Sequence, residues 1–489
     1  MSLGHESLVW AIATPLIGAV GIGLTGRWPN MREAVTLATA TILIALVFAW
    51  VTLVLEGERP YVHLFEFMPG LDIALRLEPL GILFACLASG LWLVNSIYSI
   101  GYMRGNHEKH QTRFYICFAI ALSAAMGIAM AENLLTLFIF YEVLTLSTYP
   151  LVAHKGNEHS MRQARIYLGI LLGTSIGLLL PAMFYVYSQT GTLAFTHGGI
   201  LQGVVEGPVV GLLLLMFVLG VGKAAVMPVH RWLPAAMVAP TPVSALLHAV
   251  AVVKAGVFTI TKLIVYIFGP DYVFSQPGTS WLIPLACFTI VAASLVALRQ
   301  NNLKRMLAYS TIAQLSYVVL GAALLTPLGQ VGTALHMLAH GFGKITLFFA
   351  AGAIYVAAHK SEISQLDGIG RRMPLTMVAF SIGALSMIGL PPTAGAISKW
   401  WLLGGAIDSG YWLVVATLAV STALNCAYFL PVIYRAFFKE EDQAPQNNHG
   451  EAPWPMVLAL SITATLCLGF FFFNEGAIKL EGLMLRPPL

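Results

Sequence analysis

Eight ionisable residues sit inside apolar runs of this chain: Glu142, Lys223, His248, Lys254, His336, His340, Lys344 and Lys399. A lysine at the centre of a bilayer costs roughly 2.5 to 3.5 kcal/mol on insertion scales, so a chain that keeps several there uses them. The densest stretch runs from Val221 to Gly256, VGKAAVMPVHRWLPAAMVAPTPVSALLHAVAVVKAG, with prolines at 228, 234, 240 and 242. Pro228, five residues after Lys223, removes a backbone donor and breaks or kinks the helix. Carbonyls freed at membrane depth are tolerated only where protein or water satisfies them. A lysine beside such a break points to a buried, wetted cavity.

Glu142, in LFIFYEVLTLSTYP, is the one carboxylate placed near the middle of an apolar run. A charge there needs a partner, and Lys223 is the candidate; the plainer alternative is a structural ion pair joining two helices. His336, His340 and Lys344, in LHMLAHGFGKITLFF, are spaced by four and share one helix face. Such a polar stripe suits a proton relay, the alternative being core histidines satisfied by carbonyls. Two histidines without a third suitable ligand do not close a tetrahedral metal site. His248 and Lys254 are six apart, on different faces of a straight helix, and meet one water chain only if that helix is broken or water passes around it. Lys399 follows Pro391 and Pro392 as Lys223 precedes Pro228. Two lysine-bearing broken helices in the two halves of a chain suggest the repeated architecture of transporters. Lys262, near a span end, is expected to snorkel outward.

Composition decides what holds these residues. Of 489 residues 58% are hydrophobic and only 10% charged, against roughly 25% charged in soluble domains. The chain reads as an all-α polytopic membrane protein. About fourteen spans of roughly 20 apolar residues can be marked, near 7–25, 33–55, 79–103, 114–131, 134–153, 166–188, 209–228, 241–268, 280–298, 306–325, 332–357, 374–405, 411–434 and 454–473. The span at 374–405 is too long for one straight crossing and contains Pro391 and Pro392, so a break or steep tilt is expected. Seventeen of the 26 lysines and arginines fall in one set of alternate loops, from Arg27 to Lys439, and only Arg59, Arg76, Lys479 and Arg486 in the other set and tail. That asymmetry places both termini on the outer face. The net charge of +4 comes from basic residues in separate loops, which argues against nucleic acid. The five cysteines all lie in apolar runs without paired spacing, so they read as core residues. The segment from Lys439 to Pro453 is polar and reads as a mobile loop.

Four segments, KAAVMPVHRWLPAAMVAPTPVSALLHAVAVVKAG, NNLKRMLAYSTIAQLSYV, LHMLAHGFGKITLFF and IGLPPTAGAISKWW, together resemble the antiporter-like proton-translocating membrane subunits. That family includes the large membrane subunits of respiratory complex I and the A and D subunits of Mrp-type multisubunit sodium/proton antiporters. The resemblance covers nearly the whole chain. It implies fourteen helices with two inverted five-helix repeats and broken helices seven and twelve: residues 1–110 as helices one to three, 111–270 as the first repeat, 271–440 as the second, and 441–489 as helix fourteen and tail. It also implies that Glu142, Lys223, His248, Lys254, His340, Lys344 and Lys399 are working residues, to which the spacing adds His336. Lysine at 399 and 254, and an end soon after the last span, most resemble the Mrp D subunit. Related subunits occur in membrane-bound hydrogenases and inorganic-carbon uptake systems.

The expected function is therefore proton translocation within a multisubunit monovalent cation (Na+)/H+ antiporter, in the inner membrane of a bacterium, beside other membrane subunits, with protons as cargo and Na+ as a further candidate. Two rivals stand: the membrane half of a complex I-like, hydrogenase or carbon-uptake enzyme, and a scaffold that carries no ions. No nucleotide loop, haem motif or catalytic triad is visible, so no cofactor and no bond-making chemistry are expected in this chain.

Overall fold

The computed structural model describes residues 6–440 and 450–484. Eleven helices are long and apolar enough to cross a membrane, and three shorter apolar helices, Pro208–Gly220, Leu282–Leu298 and Pro374–Ile388, complete the fourteen stretches marked in the sequence. In chain order they are α1 (Ser7–Leu24), α2 (Pro29–Leu55), α3 (Pro79–Gly105), α4 (Gln111–Ala129), α5 (Leu134–Val152), α6 (Glu158–Thr190), α7 (Pro208–Gly220), α8 (Thr241–Phe268), α9 (Leu282–Leu298), α10 (Leu303–Leu324), α11 (Pro327–Ala358), α12 in two pieces (Pro374–Ile388 and Ala394–Asp408), α13 (Trp412–Phe438) and α14 (Trp454–Phe472). A short α15 (Glu475–Met484) follows.

Local sequence explains where these helices begin. Proline stands in the first turn of α2, α3, α7, α8, α11 and α12, where its missing N–H costs nothing. Asn133, Asn157 and Asn302 cap α5, α6 and α10 by accepting a backbone N–H with their side chains, which satisfies donors the helix leaves orphaned. The centre of the molecule is α8, buried along its whole apolar window, with α10 almost as enclosed; only a third of α1, α2 and α14 is covered. His248 and Lys254 thus lie on the most protected helix, while the first two helices form the rim.

Several expectations need correction. The α7 helix stops at Gly220, ahead of Lys223 rather than at Pro228, and Lys223 sits in a 3-10 turn, Gly222–Ala224, inside the break. Lys262 does not snorkel outward. It is 1% exposed, its ammonium lies 2.9 Å from Glu78 and donates to the Ala131 carbonyl, and it stands 4.1 Å over the Phe195 ring. A paired ammonium held on an aromatic face has less to gain from open water. The acidic segment between α2 and α3 folds into an antiparallel hairpin, β1 (Tyr61–Met68) and β2 (Leu71–Arg76). Arg76 binds Glu132 at 2.6 Å and so ties the hairpin to the start of α5. Most of the loop expected to be mobile, residues 441–449, and Arg486 of the tail lie outside the described residues.

Candidate functional site

The break after α7 is built by backbone rather than by proline alone. Ala225 adopts a left-handed conformation at φ +55°, and the Trp232 indole donates to the Gly222 carbonyl at 2.8 Å. Gly256 of α8 lets this irregular segment lie flush, because a Cβ there would collide with the backbone of Lys223 and Ala224. The turn sends Lys223 across to α5. Its ammonium donates to the Tyr141 carbonyl at 2.8 Å and to Thr145 Oγ1 at 2.6 Å, and lies 3.1 Å over the Tyr141 ring.

Glu142 does not contact that ammonium directly: no cation of a described residue lies within ion-pair distance of it. Both its carboxylate oxygens are buried and make no hydrogen bond among the described residues. The contact predicted as a salt bridge is therefore an unlocked one. Lys223 is held by neutral oxygens on either side of Glu142 in sequence.

On α8 the backbone widens into a π-helical turn over Leu246–Val250, and Ala251 leaves helical geometry at φ −123°. The α-helical register is thus interrupted between His248 and Lys254. Both face α11: the His248 ring packs 4.7 Å from Phe348, and Lys254 Nζ lies 2.6 Å from His340 Nδ1. Residues 340 and 348 are two turns apart on one side of α11. Neither His248 nitrogen has a hydrogen-bond partner among the described residues. No hydrogen bond among the described residues joins Lys223 to His248 or Lys254.

The remaining residues form two strings. His340 is followed one turn earlier by His336, ring centroids 6.3 Å apart, and His336 Nδ1 meets Ser398 Oγ at 3.0 Å in the second piece of α12. Lys344 donates to Ser310 Oγ at 2.6 Å. Tyr428 bonds both that hydroxyl and Asn425 Oδ1, and Asn425 donates to the Met387 carbonyl at 3.2 Å. The same carbonyl accepts from Lys399 at 2.8 Å, and Ile388 accepts from it at 2.9 Å. Lys399 thereby caps the end of the first piece of α12, where the helix dipole favours a cation. Gly389 turns the chain there at φ +93°, and a Cβ would stand 2.6 Å from Lys399 Cδ.

Sequence reasoning missed Thr145, Ser310, Ser398, Asn425 and Tyr428. Each is a neutral polar residue in an apolar helix, cheap enough in a membrane to raise no alarm. The one available signal was spacing, since Thr145 is three residues from Glu142 and shares its face. Outside the spans, burial and the nearby Arg113 push His154 down to about 4 although Glu108 lies 3.7 Å away, so that contact is a neutral imidazole beside a carboxylate. No group of three His, Cys, Asp or Glu among the described residues is arranged to hold a metal ion.

Fold and site together define an all-helical, polytopic membrane protein with two broken helices and a line of buried cationic and imidazole groups between them. Residues 131–425 match the family described as NADH:quinone oxidoreductase/Mrp antiporter, TM, and residues 69–115 match the N-terminus of chain 5 of complex I. The chain belongs to that family of antiporter-like membrane subunits. It is 34% identical over 481 residues to NADH-quinone oxidoreductase subunit N of Desulforudis audaxviator, covering 96% of this chain and 94% of that one. Its fold is that of a chain in the Mrp complex from Dietzia sp. DQ12-45-1b, with TM-score 0.87, 22% identity and 99% and 97% of the two chains covered. A chain of the membrane-bound sulfane sulfur reductase, an archaeal respiratory membrane complex, matches at TM-score 0.86, 23% identity and 98% coverage of each.

Proposed function

We propose that this chain is the proton-translocating subunit of a multisubunit monovalent cation (Na+)/H+ antiporter, passing protons along the line from Lys223 through His248, Lys254, His340, His336 and Lys344 to Lys399. The observation that carries this reading is the 2.6 Å contact between Lys254 Nζ and His340 Nδ1. An amine and an imidazole at that distance share one proton, either ammonium donating to a bare nitrogen or imidazole donating to a neutral amine, and interchange needs no movement of heavy atoms. Beyond it the Ser310–Tyr428–Asn425 string links Lys344 electrostatically to the carbonyl that holds Lys399. A change of charge at one lysine is then felt at the next in a poorly screened interior.

Glu142 sets the state of the first lysine. When the carboxylate closes on Lys223 the ammonium is stabilised there; when it withdraws, only neutral oxygens remain and the proton is freer to leave. In an antiporter the force that moves Glu142 comes from the proton gradient or from sodium crossing a partner subunit. The breaks in α7 and α12 supply the irregular backbone that water or side chains must satisfy along the way.

A second reading, the proton-pumping subunit of a complex I-like enzyme, is favoured by the identity with a subunit N over nearly the full length of both chains. Everted vesicles carrying the assembled complex separate the two. If the antiporter reading holds, sodium added to vesicles with a preformed acid interior collapses the gradient, and Lys254→Met in correctly assembled complexes abolishes the collapse. Proton uptake driven only by an electron donor, with no response to sodium, overturns it in favour of the enzyme. Normal sodium exchange in assembled Lys254→Met complexes would leave only the scaffold.

A further inference from the structure

Away from the proton line, on the lysine- and arginine-rich side of the bundle, a cavity of about 620 Å³ opens between the start of α6, the segment after the α7 break and the start of α10. Arg162, Arg231, Arg305 and His159 line it, with Gln163 and Tyr309, and no carboxylate does. The three arginines come from three separate elements and are all exposed, and none makes an ion pair among the described residues. The nearby Glu362 is turned to Asn302, whose amide donates to it at 3.0 Å. A second cavity of about 300 Å³ shares His159, Met237 and Val238 with the first and adds Lys155 and Lys304. Gathering like charges without a counter-ion is unfavourable unless an anion resolves it.

The shape below this cavity says which anion. From Arg162 the outward face of α6 continues through Ile166, Gly169, Gly173 and Gly177, at helical spacings of three or four, and all are exposed. A Cβ on any of these three glycines would meet nothing within 4 Å. The helix therefore presents an open furrow, bordered by the exposed Ile176, that starts at a cluster of guanidinium groups and runs along the apolar surface.

We infer that this cavity and furrow hold an anionic glycerophospholipid of the adjoining leaflet, its phosphodiester between Arg162, Arg231 and Arg305 and one acyl chain along the glycine face of α6. Guanidinium groups match phosphate oxygens in a planar, two-pronged geometry, and basic pockets between membrane helices take lipid headgroups on this side. A free phosphate would use the arginines and leave the furrow without purpose. The inference stands apart from the proton pathway, and none of its residues belongs to that line.

The test uses the full chain, purified in detergent, stripped of lipid and reloaded with an equimolar mixture of phosphatidylglycerol and phosphatidylethanolamine, with bound lipid counted by native mass spectrometry. Phosphatidylglycerol is expected to be retained over phosphatidylethanolamine by roughly a hundredfold, the scale of three cations acting on one headgroup. The preference should vanish in the Arg162→Gln/Arg231→Gln/Arg305→Gln variant, whose melting temperature stays unchanged because the three side chains are exposed and unpaired. Gly173→Leu fills the furrow and should shorten retention of both lipids without erasing the preference. Equal retention of the two lipids by the unaltered chain, a preference that survives in the triple variant, or Gly173→Leu without effect overturns the inference. Displacement of the lipid by millimolar inorganic phosphate also overturns it and leaves a soluble-anion site.

Discussion

At the break in α12, Lys399 folds back onto the Met387 and Ile388 carbonyls of its own interrupted helix, whereas at the break in α7 Lys223 abandons its helix for Tyr141 and Thr145 of α5. In the α7 break the Gly222 carbonyl accepts both the Ala225 backbone N–H and the Trp232 indole N–H. The second break uses its lysine as a cap, and the first delegates capping to an indole, which releases the lysine toward Glu142. The difference teaches that a broken helix and a nearby lysine are one motif with two uses. A cation that completes a helix end is held by the backbone it satisfies; a cation held by neutral groups of another helix remains responsive to a charge beside it. The first half of the chain thus holds its lysine by neutral groups of another helix, and the second half by the backbone of its own helix.

The sharpest way to break this comparison is Glu142→Gln. The carboxylate makes no hydrogen bond in the chain, so assembly and melting temperature should hold while proton-coupled exchange in everted vesicles falls on the order of a hundredfold, the usual scale for removing a positioned proton-transfer group. A lower melting temperature with exchange intact would mean that Glu142 is a structural partner after all. Lys399→Ala should do the reverse in emphasis: the Ile388 carbonyl is left without its donor at a cost of about 1 to 3 kcal/mol, read as a lower melting temperature together with lost exchange. If the variant melts normally, the capping role is wrong.

Smaller effects sharpen the same contrast. Tyr428→Phe cuts the string between Lys344 and Lys399 and is expected to slow exchange by roughly tenfold with little loss of stability, since coupling through such networks is cooperative. Trp232→Phe removes one hydrogen bond from the α7 break and should cost about 1 kcal/mol while exchange persists; abolished exchange would show that the indole holds Lys223 in place. The smallest effect lies beyond the end of α5 at His154, which is held down to about 4 by burial. Between that value and the ordinary 6.5 the unfolded chain binds a proton that the folded chain does not, so stability falls as pH drops through this window. His154→Phe should flatten that part of the stability curve, measured by melting temperature against pH.

Much of the architecture was legible because a bilayer leaves few choices: spans of sufficient length, an asymmetric distribution of basic loops, and prolines near Lys223 and Lys399 all register in one dimension. The same was true of the eight ionisable residues, whose cost in apolar surroundings makes them conspicuous. What did not register was whatever depends on an inexpensive residue or on the backbone. Serine, threonine and asparagine carry no such penalty, so Ser310 and Asn425 gave no sign of joining two lysines. The buried pairing of Lys262 with Glu78 depends on segments distant in sequence.

The amino-acid order by itself therefore determined that this is a membrane protein of about fourteen crossings, with costly charges stationed along its midplane and two interrupted helices, because hydrophobic length and charge placement are properties of each stretch alone. Only the tertiary structure decided which groups touch: that His248 and Lys254 both reach α11, that Lys223 is held by Tyr141 and Thr145 rather than by Glu142, and that Lys399 closes the end of its own helix. Those outcomes depend on the backbone at the helix breaks and on contacts between different helices, such as the one joining Lys254 to His340 across 86 residues of sequence, and no local pattern encodes them.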